Sequence, residues 1–228
     1  MSTIAANLQA IRRRISEALQ GDSRAVTLLA VSKSQPAGRI REAHAAGCGH
    51  FGENYVQEAI AKMGELAGLS ATWHYIGRVQ TNKAHLVATH FDWVHGIDAL
   101  RQAAALSKAR DGRLPLNVCI QVNISGEGSK GGVSPDLATS LAQEVAALPG
   151  LRLRGLMGMA SFTQDAAMQR RQFATLRTTF EALRGRGLDV DTLSMGMSGD
   201  LEAAIAEGAT LVRIGTAIFG ERRKTEAA

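Results

Sequence analysis

Hydrophobic and polar positions along the chain follow two alternating patterns. Short apolar runs, typical of parallel strands buried on both faces, recur eight times, and helical spacing or a turn follows each of them. The predicted strands span 26–33, 50–53, 72–77, 92–97, 115–124, 151–159, 191–196 and 210–215. An amphipathic helix over about 2–20 precedes them, and the clearest later helix spans about 165–185. This order predicts an α/β fold, a single (β/α)8 TIM barrel over residues 1–228, with a short tail from about residue 221.

Composition limits the classes of protein to be considered. With 228 residues and 45% hydrophobic positions, the chain can build one sizeable core. It has no apolar stretch of roughly 18 residues and no secretory signal at its N-terminus, so we expect a cytoplasmic protein that does not enter a membrane. Cys48 and Cys119 lie far apart and outside any CxxC motif, which predicts buried thiols. The six histidines lack metal-ligand spacing, so we expect no metal site.

A net charge of +5 raises the question of nucleic-acid binding. The basic residues are scattered along predicted helices, and aromatic residues that stack on bases make up only 4% of the chain. We therefore predict no nucleic-acid partner. The positive charge can instead help to attract phosphorylated small molecules.

Lys33 ends the first predicted strand. A primary amine at the mouth of an apolar strand is partly desolvated, which lowers its pKa and leaves part of it neutral and nucleophilic. The position is therefore typical of a lysine that forms a Schiff base with an aldehyde. A surface lysine that happens to follow a strand is the alternative.

Other polar residues follow later strands, where barrel enzymes carry their chemistry. Ser198 and Gly199 precede a predicted helix from Asp200 to about Glu207, and Gly215 and Thr216 follow the last strand. Free N–H groups, hydroxyls and a close backbone approach would suit a phosphate at these two loops. Ser198 acting only as a helix N-cap and Gly215 acting only as a turn residue are the alternatives.

Arg213 interrupts the apolar strand 210–215, and a buried guanidinium needs an acceptor. A carboxylate such as Glu53 or Asp200 would serve, and so would the ring nitrogen of a bound cofactor. Taken with Lys33 and an anion site, Arg213 suggests pyridoxal 5′-phosphate, whose aldehyde, phosphate and pyridine nitrogen would each have a partner.

Seven ordered blocks that span nearly the whole chain resemble the YggS/PROSC family of pyridoxal phosphate homeostasis proteins. They are AVSK (30–33), FGENYVQE (51–58), WHYIG (73–77), QTNK (80–83), RGLM (154–157), LSMGMS (193–198) and VRIGTAIFG (212–220). The resemblance implies a barrel of the alanine racemase N-terminal-domain type (fold type III), with the cofactor held as an aldimine of Lys33. It also implies phosphate contacts from Ser198, Gly215 and Thr216, with Arg213 facing the pyridine nitrogen. Gly199 stands where the family commonly has an acidic or polar residue, so only the loop pattern predicts it at the phosphate site. Asn54 and Met157, within the second and fifth blocks, complete the predicted cofactor-binding set.

A cofactor carrier is favoured over a dedicated enzyme. An arginine against the ring nitrogen weakens the cofactor as an electron sink, and racemisation needs a second acid/base. Tyr55 and Tyr75 are expected to pack, and His95, at the end of the fourth strand, is more typical of a structural residue. We therefore expect a monomer that holds the cofactor and delivers it to pyridoxal-phosphate-dependent apoenzymes. A low-activity amino-acid racemase and a class I aldolase acting on a sugar phosphate remain alternatives.

Two further segments carry hypotheses. The run 126–131 matches GxGxxG, but the next helix starts too late for a dinucleotide site, so a barrel loop is expected. Gln80, Asn82 and Lys83 follow the third strand, where they would line the cofactor's approach or contact a recipient enzyme. An ordinary helix start is the alternative for this polar cluster.

Overall fold

A closed barrel of eight parallel strands forms the centre of the protein, and each strand pairs with its neighbours in chain order. The computed structural model describes residues 3–128 and 130–221. Strands β1 to β8 are Thr27–Val31, His50–Glu53, Thr72–Tyr75, Trp93–Ile97, Leu116–Val122, Leu151–Gly158, Thr192–Ser194 and Leu211–Ile214. Strand β1 pairs with β8, with Thr27 opposite Leu211 and Ala30 opposite Ile214. This pairing closes the barrel and leaves the sheet without an edge.

Helices on the outside of the barrel connect the strands. Helices α1 to α9 are Ile4–Leu19, Ala37–Ala45, Val56–Glu65, Ala84–His90, Leu100–Ala109, Pro135–Ala146, Ala166–Gly185, Leu201–Ala206 and Thr216–Phe219, with a 3-10 turn at Thr81–Lys83. None of the helices in the described ranges is long and apolar enough to cross a membrane. The predicted barrel is confirmed. The proposed tail from about residue 221 lies almost wholly outside the described residues.

Most strands are shorter at their carboxyl ends than the sequence predicts. Strand β1 ends at Val31 instead of residue 33, β3 at Tyr75 instead of 77, and β7 at Ser194 instead of 196. The backbone turns away there, and Ser34 and Gly196 adopt positive φ angles of 61° and 95°. The chemistry-bearing residues that follow these strands therefore lie in loops at one mouth of the barrel, and apolar character alone cannot mark the last paired residue.

The amphipathic helices pack as their patterns predict, with one exception. Ile4, Leu8 and Ile11 of α1 are buried, and α1 packs against α8 and α9 near the carboxyl mouth. The Asp165 side chain caps α7 by accepting from two backbone N–H groups. Met168, an apolar residue in the first turn of α7 that the helical pattern predicts to face inward, is instead 38% exposed.

The barrel wall is tight between β6 and β7. Gly155 has φ 150°, and a β-carbon there would overlap the carbonyl oxygen of Thr192, so the strands approach only because a side chain is absent. Cys48 and Cys119 are both buried and unbridged, as the sequence predicts.

Candidate functional site

The predicted site residues lie on five neighbouring strands of the closed barrel, in the order β6, β7, β8, β1 and β2. Each lies at or just after the carboxyl end of its strand, so all belong to the same mouth. They are Met157 in β6, Ser198 and Gly199 after β7, Arg213 in β8, Gly215 and Thr216 after β8, Lys33 after β1, and Asn54 after β2. Met157 and Arg213 are buried, Lys33, Asn54, Ser198 and Gly215 are half-buried, and Gly199 and Thr216 are exposed.

A buried ion pair lies behind this mouth. The Lys62 ammonium donates to Glu53 Oε1 at 2.6 Å and to Glu58 Oε1 at 2.8 Å, and Glu53 is fully buried. Glu53 Oε1 also accepts from the Ser32 hydroxyl at 2.5 Å, whereas Glu53 Oε2 has no hydrogen-bond partner in the described part of the chain. Burial raises the pKa of Glu53 above its ordinary value, although Lys62 and Ser32 act to lower it.

This pair fixes the turn that carries Lys33. Lys62 donates to the Ser32 carbonyl at 2.9 Å, and the Ser34 N–H donates to Glu58 Oε1 at 2.6 Å. The backbone on both sides of the half-buried Lys33 is therefore bound to α3. Lys62 was not predicted as part of the site, and its local signal is only an i, i+4 charge pair with Glu58, the last residue of the second block.

Asn54 presents an unsatisfied acceptor. Its Oδ1 atom is buried and has no hydrogen-bond partner among residues 3–128 and 130–221. A buried polar atom without a partner costs free energy, so it marks a place where a ligand donor fits. Gly77 supports Asn54 from the side of β3, and a β-carbon on Gly77 would overlap the Asn54 carbonyl oxygen.

Arg213 is held by the strands beside it rather than by a carboxylate. Its Nη1 donates to the Ser194 carbonyl at 2.6 Å and to Ser194 Oγ at 2.8 Å, and its Nη2 donates to the Gly158 carbonyl at 3.0 Å. The suggested ion pair with Glu53 or Asp200 is wrong, because Glu53 binds Lys62 and Asp200 accepts from the Met197 N–H.

The buried guanidinium stays charged at neutral pH. Burial lowers the pKa of Arg213 to about 10, and the charge of Asp200 acts in the opposite direction. A donor with a permanent positive charge is thus fixed inside the mouth, between β6 and β8.

The glycines in the two loops after β7 and β8 have different surroundings. A β-carbon on Gly199 would meet nothing within 4 Å, and one on Gly215 would reach Val31 at 3.4 Å. The alternative of Ser198 as the cap of α8 is wrong, because Asp200 occupies the N-cap position. The Ser198 carbonyl instead accepts from Arg14 of α1 at 3.1 Å, which ties the leading helix to this loop.

Three histidines lie inside the barrel beneath Arg213. His95 is in the middle of β4, fully buried, with Nδ1 2.8 Å from Ser194 Oγ and Nε2 2.9 Å from His74 Nδ1. His50 Nδ1 lies 3.0 Å from His74 Nε2. The placement of His95 at the end of its strand is wrong, and both of its nitrogens are engaged. No group of three or more metal-ligating side chains in the described residues can hold a metal ion.

The two tyrosines differ in their surroundings. Tyr75 is buried and its hydroxyl donates to the Arg78 carbonyl at 3.1 Å, as expected of a packed residue. Tyr55 is 58% exposed at the N-cap position of α3, so the expectation that it packs is wrong. It follows the last residue of β2 by only two positions, and the turn into α3 directs it outward.

Two other predicted segments have ordinary local structures. Lys83 lies in the 3-10 turn before α4 and donates to Gln57 Oε1 at 3.4 Å, so a helix start is present where the polar cluster was predicted. The glycine-rich run at 126–131, of which residue 129 is outside the described residues, belongs to the loop between β5 and α6. Asn123 Nδ2 donates to the carbonyls of Glu127 and Lys130 in this loop.

Comparison with known proteins identifies the family of this chain. Residues 1–223 match the family model described as alanine racemase, N-terminal domain. A pyridoxal phosphate homeostasis protein of Pseudomonas aeruginosa is 55% identical over 226 residues, covering 97% of each chain. The protein of that name in Escherichia coli K12 is 49% identical over 229 residues, covering 97% of this chain and 98% of the relative.

A solved structure shows the same fold. The structure of PipY from Synechococcus elongatus with PLP bound aligns with a TM-score of 0.84 at 40% sequence identity, covering 96% of this chain and 100% of that one. The chain thus belongs to the alanine racemase N-terminal domain family and, within it, to the pyridoxal phosphate homeostasis proteins.

Proposed function

We propose that this protein binds pyridoxal 5′-phosphate and acts in its intracellular homeostasis and delivery. One observation carries the proposal: the fixed turn of Lys33, the buried Arg213 and the two glycine-containing loops after β7 and β8 lie at the same mouth of the barrel. Relatives that are named for pyridoxal phosphate homeostasis, and PipY solved with PLP bound, support it.

Lys33 is the proposed point of covalent attachment, through an imine between its amine and the cofactor's aldehyde. A Schiff-base lysine must be partly shielded from water and held at a constant position. Lys33 is half-buried, and the contacts of Ser32 and Ser34 with Lys62 and Glu58 fix the backbone on both sides of it.

Arg213 is proposed to face the pyridine nitrogen. Its guanidinium is held by Ser194 and Gly158, and it keeps its positive charge at neutral pH. A charged donor at this position disfavours protonation of the ring nitrogen. When bound, pyridoxal phosphate supplies an electron sink for amino-acid chemistry, and the arginine weakens that property. Retention and transfer of the cofactor are therefore favoured over turnover.

The phosphate is proposed to lie between the loops after β7 and β8. Ser198 and Thr216 would donate through their hydroxyls. Gly199, which has open space beside it, would let the anion approach the backbone, and Gly215 would contribute its backbone N–H. The helices that begin there have only six and four residues, so local N–H groups contribute more than a long helix dipole.

Asn54 and Met157 are proposed to contact the cofactor from the two sides of the mouth. The unpaired Asn54 Oδ1 atom can accept a hydrogen bond from a polar group of the ligand. Met157 is 2% exposed, and its thioether provides a polarizable apolar surface for a ring. The residues present thus suit the groups of the cofactor. Asn54 offers an acceptor, Arg213 a donor and Lys33 an amine, and the loops after β7 and β8 are the proposed place for the phosphate.

The proposed role is that of a monomeric cytoplasmic carrier whose recipients are pyridoxal-phosphate-dependent apoenzymes. The exposed residues Gln80 and Asn82, with Lys83, stay predicted contacts for the approach of the cofactor or of a recipient. A low-activity racemase would exchange the α-proton of an amino acid in deuterated water. A class I aldolase would show borohydride trapping only when a sugar phosphate is added.

The decisive experiment is hydride fixation followed by mass spectrometry. Borohydride reduction of the protein loaded with pyridoxal phosphate should leave one pyridoxyl adduct on the peptide containing Lys33, and the visible absorbance of the imine should disappear in Lys33→Ala. Lys108→Ala, at an exposed site on α5, is the matched control and should keep both signals. An adduct on another lysine would overturn the assignment of Lys33, and failure to bind the cofactor at all would overturn the function.

A further inference from the structure

A continuous chain of polar side chains runs through the barrel interior to Arg213. It begins at His50, the first residue of β2, and continues through His74 and His95 to Ser194 at the carboxyl end of β7. The links are 3.0 Å, 2.9 Å and 2.8 Å long, and Arg213 Nη1 lies 2.8 Å from Ser194 Oγ. The interior of a barrel of this size is usually filled by branched apolar side chains, so the chain is unusual.

Arg213 determines the direction of every hydrogen bond in this chain. A guanidinium only donates, so the Ser194 hydroxyl oxygen accepts from Arg213 and must place its own hydrogen elsewhere. His95 Nδ1 is the acceptor within reach. His95 then donates from Nε2 to His74 Nδ1, and His74 donates from Nε2 to His50 Nδ1. The reversed direction would leave a buried hydroxyl hydrogen without an acceptor.

The oriented chain acts electrostatically on the guanidinium. In this direction the Ser194 oxygen and each imidazole turn their electron-rich side toward Arg213, and hydrogen bonds in series polarise one another. Arg213 is 5% exposed, and no carboxylate among the described residues lies within ion-pair distance of it. A buried charge needs compensation, and neutral dipoles aligned toward it supply this compensation.

We propose that Ser194, His95, His74 and His50 are positioning residues that take the place of a counter-ion for Arg213. They hold its guanidinium charged and in a fixed orientation toward the cofactor's ring. The proposal deepens the proposed function and rests on it for the identity of the ligand. The hydrogen-bonded series from His50 to Arg213 is present in the protein without cofactor.

The surroundings of the chain keep its imidazoles neutral. Burial lowers the pKa of His95 to about 3, with the charge of Arg213 acting in the same direction, and burial lowers the pKa of His74 well below its usual range. Burial also lowers the pKa of His50, although the charge of Asp92 acts to raise it. The other charged or titratable groups that face the chain or Arg213 are Arg154, Asp191, Cys119 and Asp200.

His50, the end of the hydrogen-bonded series that lies farthest from Arg213, is accessible to solvent. His50 is half-buried, and it lines a cavity of about 230 Å³ at the mouth where the strands begin, together with His74 and Trp93. The Trp93 ring stacks on that of His74, with the centroids 5.4 Å apart. Protons can therefore exchange at His50 without passing through the cofactor site.

The first test uses nitrogen-15 NMR of the cofactor-free protein. At about pH 7, His50, His74 and His95 should each be neutral, with a bare Nδ1 and a protonated Nε2. A protonated Nδ1 or an imidazolium at His74 or His95 would overturn the proposal. This result does not depend on cofactor binding, so it stays decisive even if the protein binds no pyridoxal phosphate.

The second test compares substitutions of His95 in the protein loaded with pyridoxal phosphate. His95→Gln can accept from Ser194 through its carbonyl and donate onward through its amide, whereas His95→Leu breaks the chain. His95→Leu should weaken cofactor binding about tenfold and shift the pH at which the absorbance of the bound cofactor changes, and His95→Gln should restore both.

The exposed residue His85 provides the matched control, and His85→Gln should behave as the wild type. Equal cofactor affinity and an equal absorbance titration for the wild type and His95→Leu would overturn the proposal. If His95→Leu does not fold, His95→Gln decides: a tenfold loss of affinity in this chain-preserving variant would also contradict it. If the wild type does not bind pyridoxal phosphate, this result would count against the proposed function and not against the hydrogen-bonded series of His50, His74, His95 and Ser194.

Discussion

Replacing Lys62 with methionine tests whether the buried ion pair supports the Lys33 turn. The Lys62 ammonium binds Glu53 at 2.6 Å, Glu58 at 2.8 Å and the Ser32 carbonyl at 2.9 Å. Methionine fills a similar volume but removes all three hydrogen bonds. Glu53 is then a fully buried carboxylate with the Ser32 hydroxyl as its remaining donor. Leaving one partner of a buried pair unpaired costs about 3–5 kcal/mol, so the free energy of unfolding should fall by about 3 kcal/mol.

The pH dependence of this loss follows from the pKa of Glu53. Burial already raises that pKa, and removal of Lys62, whose charge lowers it, raises it further. A carboxyl group with a raised folded-state pKa binds a proton more readily when folded, so its destabilising effect grows as the pH rises. The loss caused by Lys62→Met should therefore be larger at about pH 8 than at about pH 5.5.

Urea unfolding of the cofactor-free protein, followed by tryptophan fluorescence, measures this loss. The double variant Glu53→Gln/Lys62→Met removes both charges and should recover about 2 kcal/mol of it, because a neutral pair of similar volume needs no counter-ion. Glu181→Gln disrupts an exposed ion pair with Arg177 and should cost less than about 0.5 kcal/mol. A loss below about 1 kcal/mol for Lys62→Met, or an equal loss in the double variant, would refute the reasoning.

Two further predictions concern backbone packing and pH. Gly77→Ala should displace the Asn54 carbonyl, cost about 1–3 kcal/mol and weaken cofactor binding about tenfold, as measured by urea unfolding and absorbance titration. Gly64→Ala, in open space on α3, should cost nothing, and unchanged affinity in Gly77→Ala would contradict the prediction. Because His95 has a folded-state pKa of about 3, the unfolded chain binds more protons below about pH 6.5, and the wild type should lose stability as the pH falls. His95→Gln should reduce the slope of the free energy of unfolding against pH by about 1.4 kcal/mol per pH unit. The exposed control is His85→Gln, and an equal slope in the two variants would contradict the prediction.

The sequence by itself determined the barrel and the most conspicuous candidate residues for the site. The number and order of the eight predicted strands, although not their carboxyl ends, and the helix over about 165–185 agree with the structure. An apolar run or a helical stripe is a local pattern that can be recognised within one segment. Lys33 and Arg213 stand out for the same reason, since each is a charged residue at the end of an apolar run or within one. The resemblance of seven blocks to one family then placed them together at one mouth.

Tertiary structure alone decided which side chains meet inside the barrel. His50, His74 and His95 lie 24 and 21 residues apart, and His95 meets Ser194 across 99 residues. No local pattern links residues on different strands, because barrel closure and strand register determine which inward-facing positions stand beside each other. The pairing of Glu53 with Lys62, instead of with Arg213, has the same origin. A buried charge takes the partner that the fold brings within hydrogen-bond distance, and that distance exists only once the strands and helices have packed.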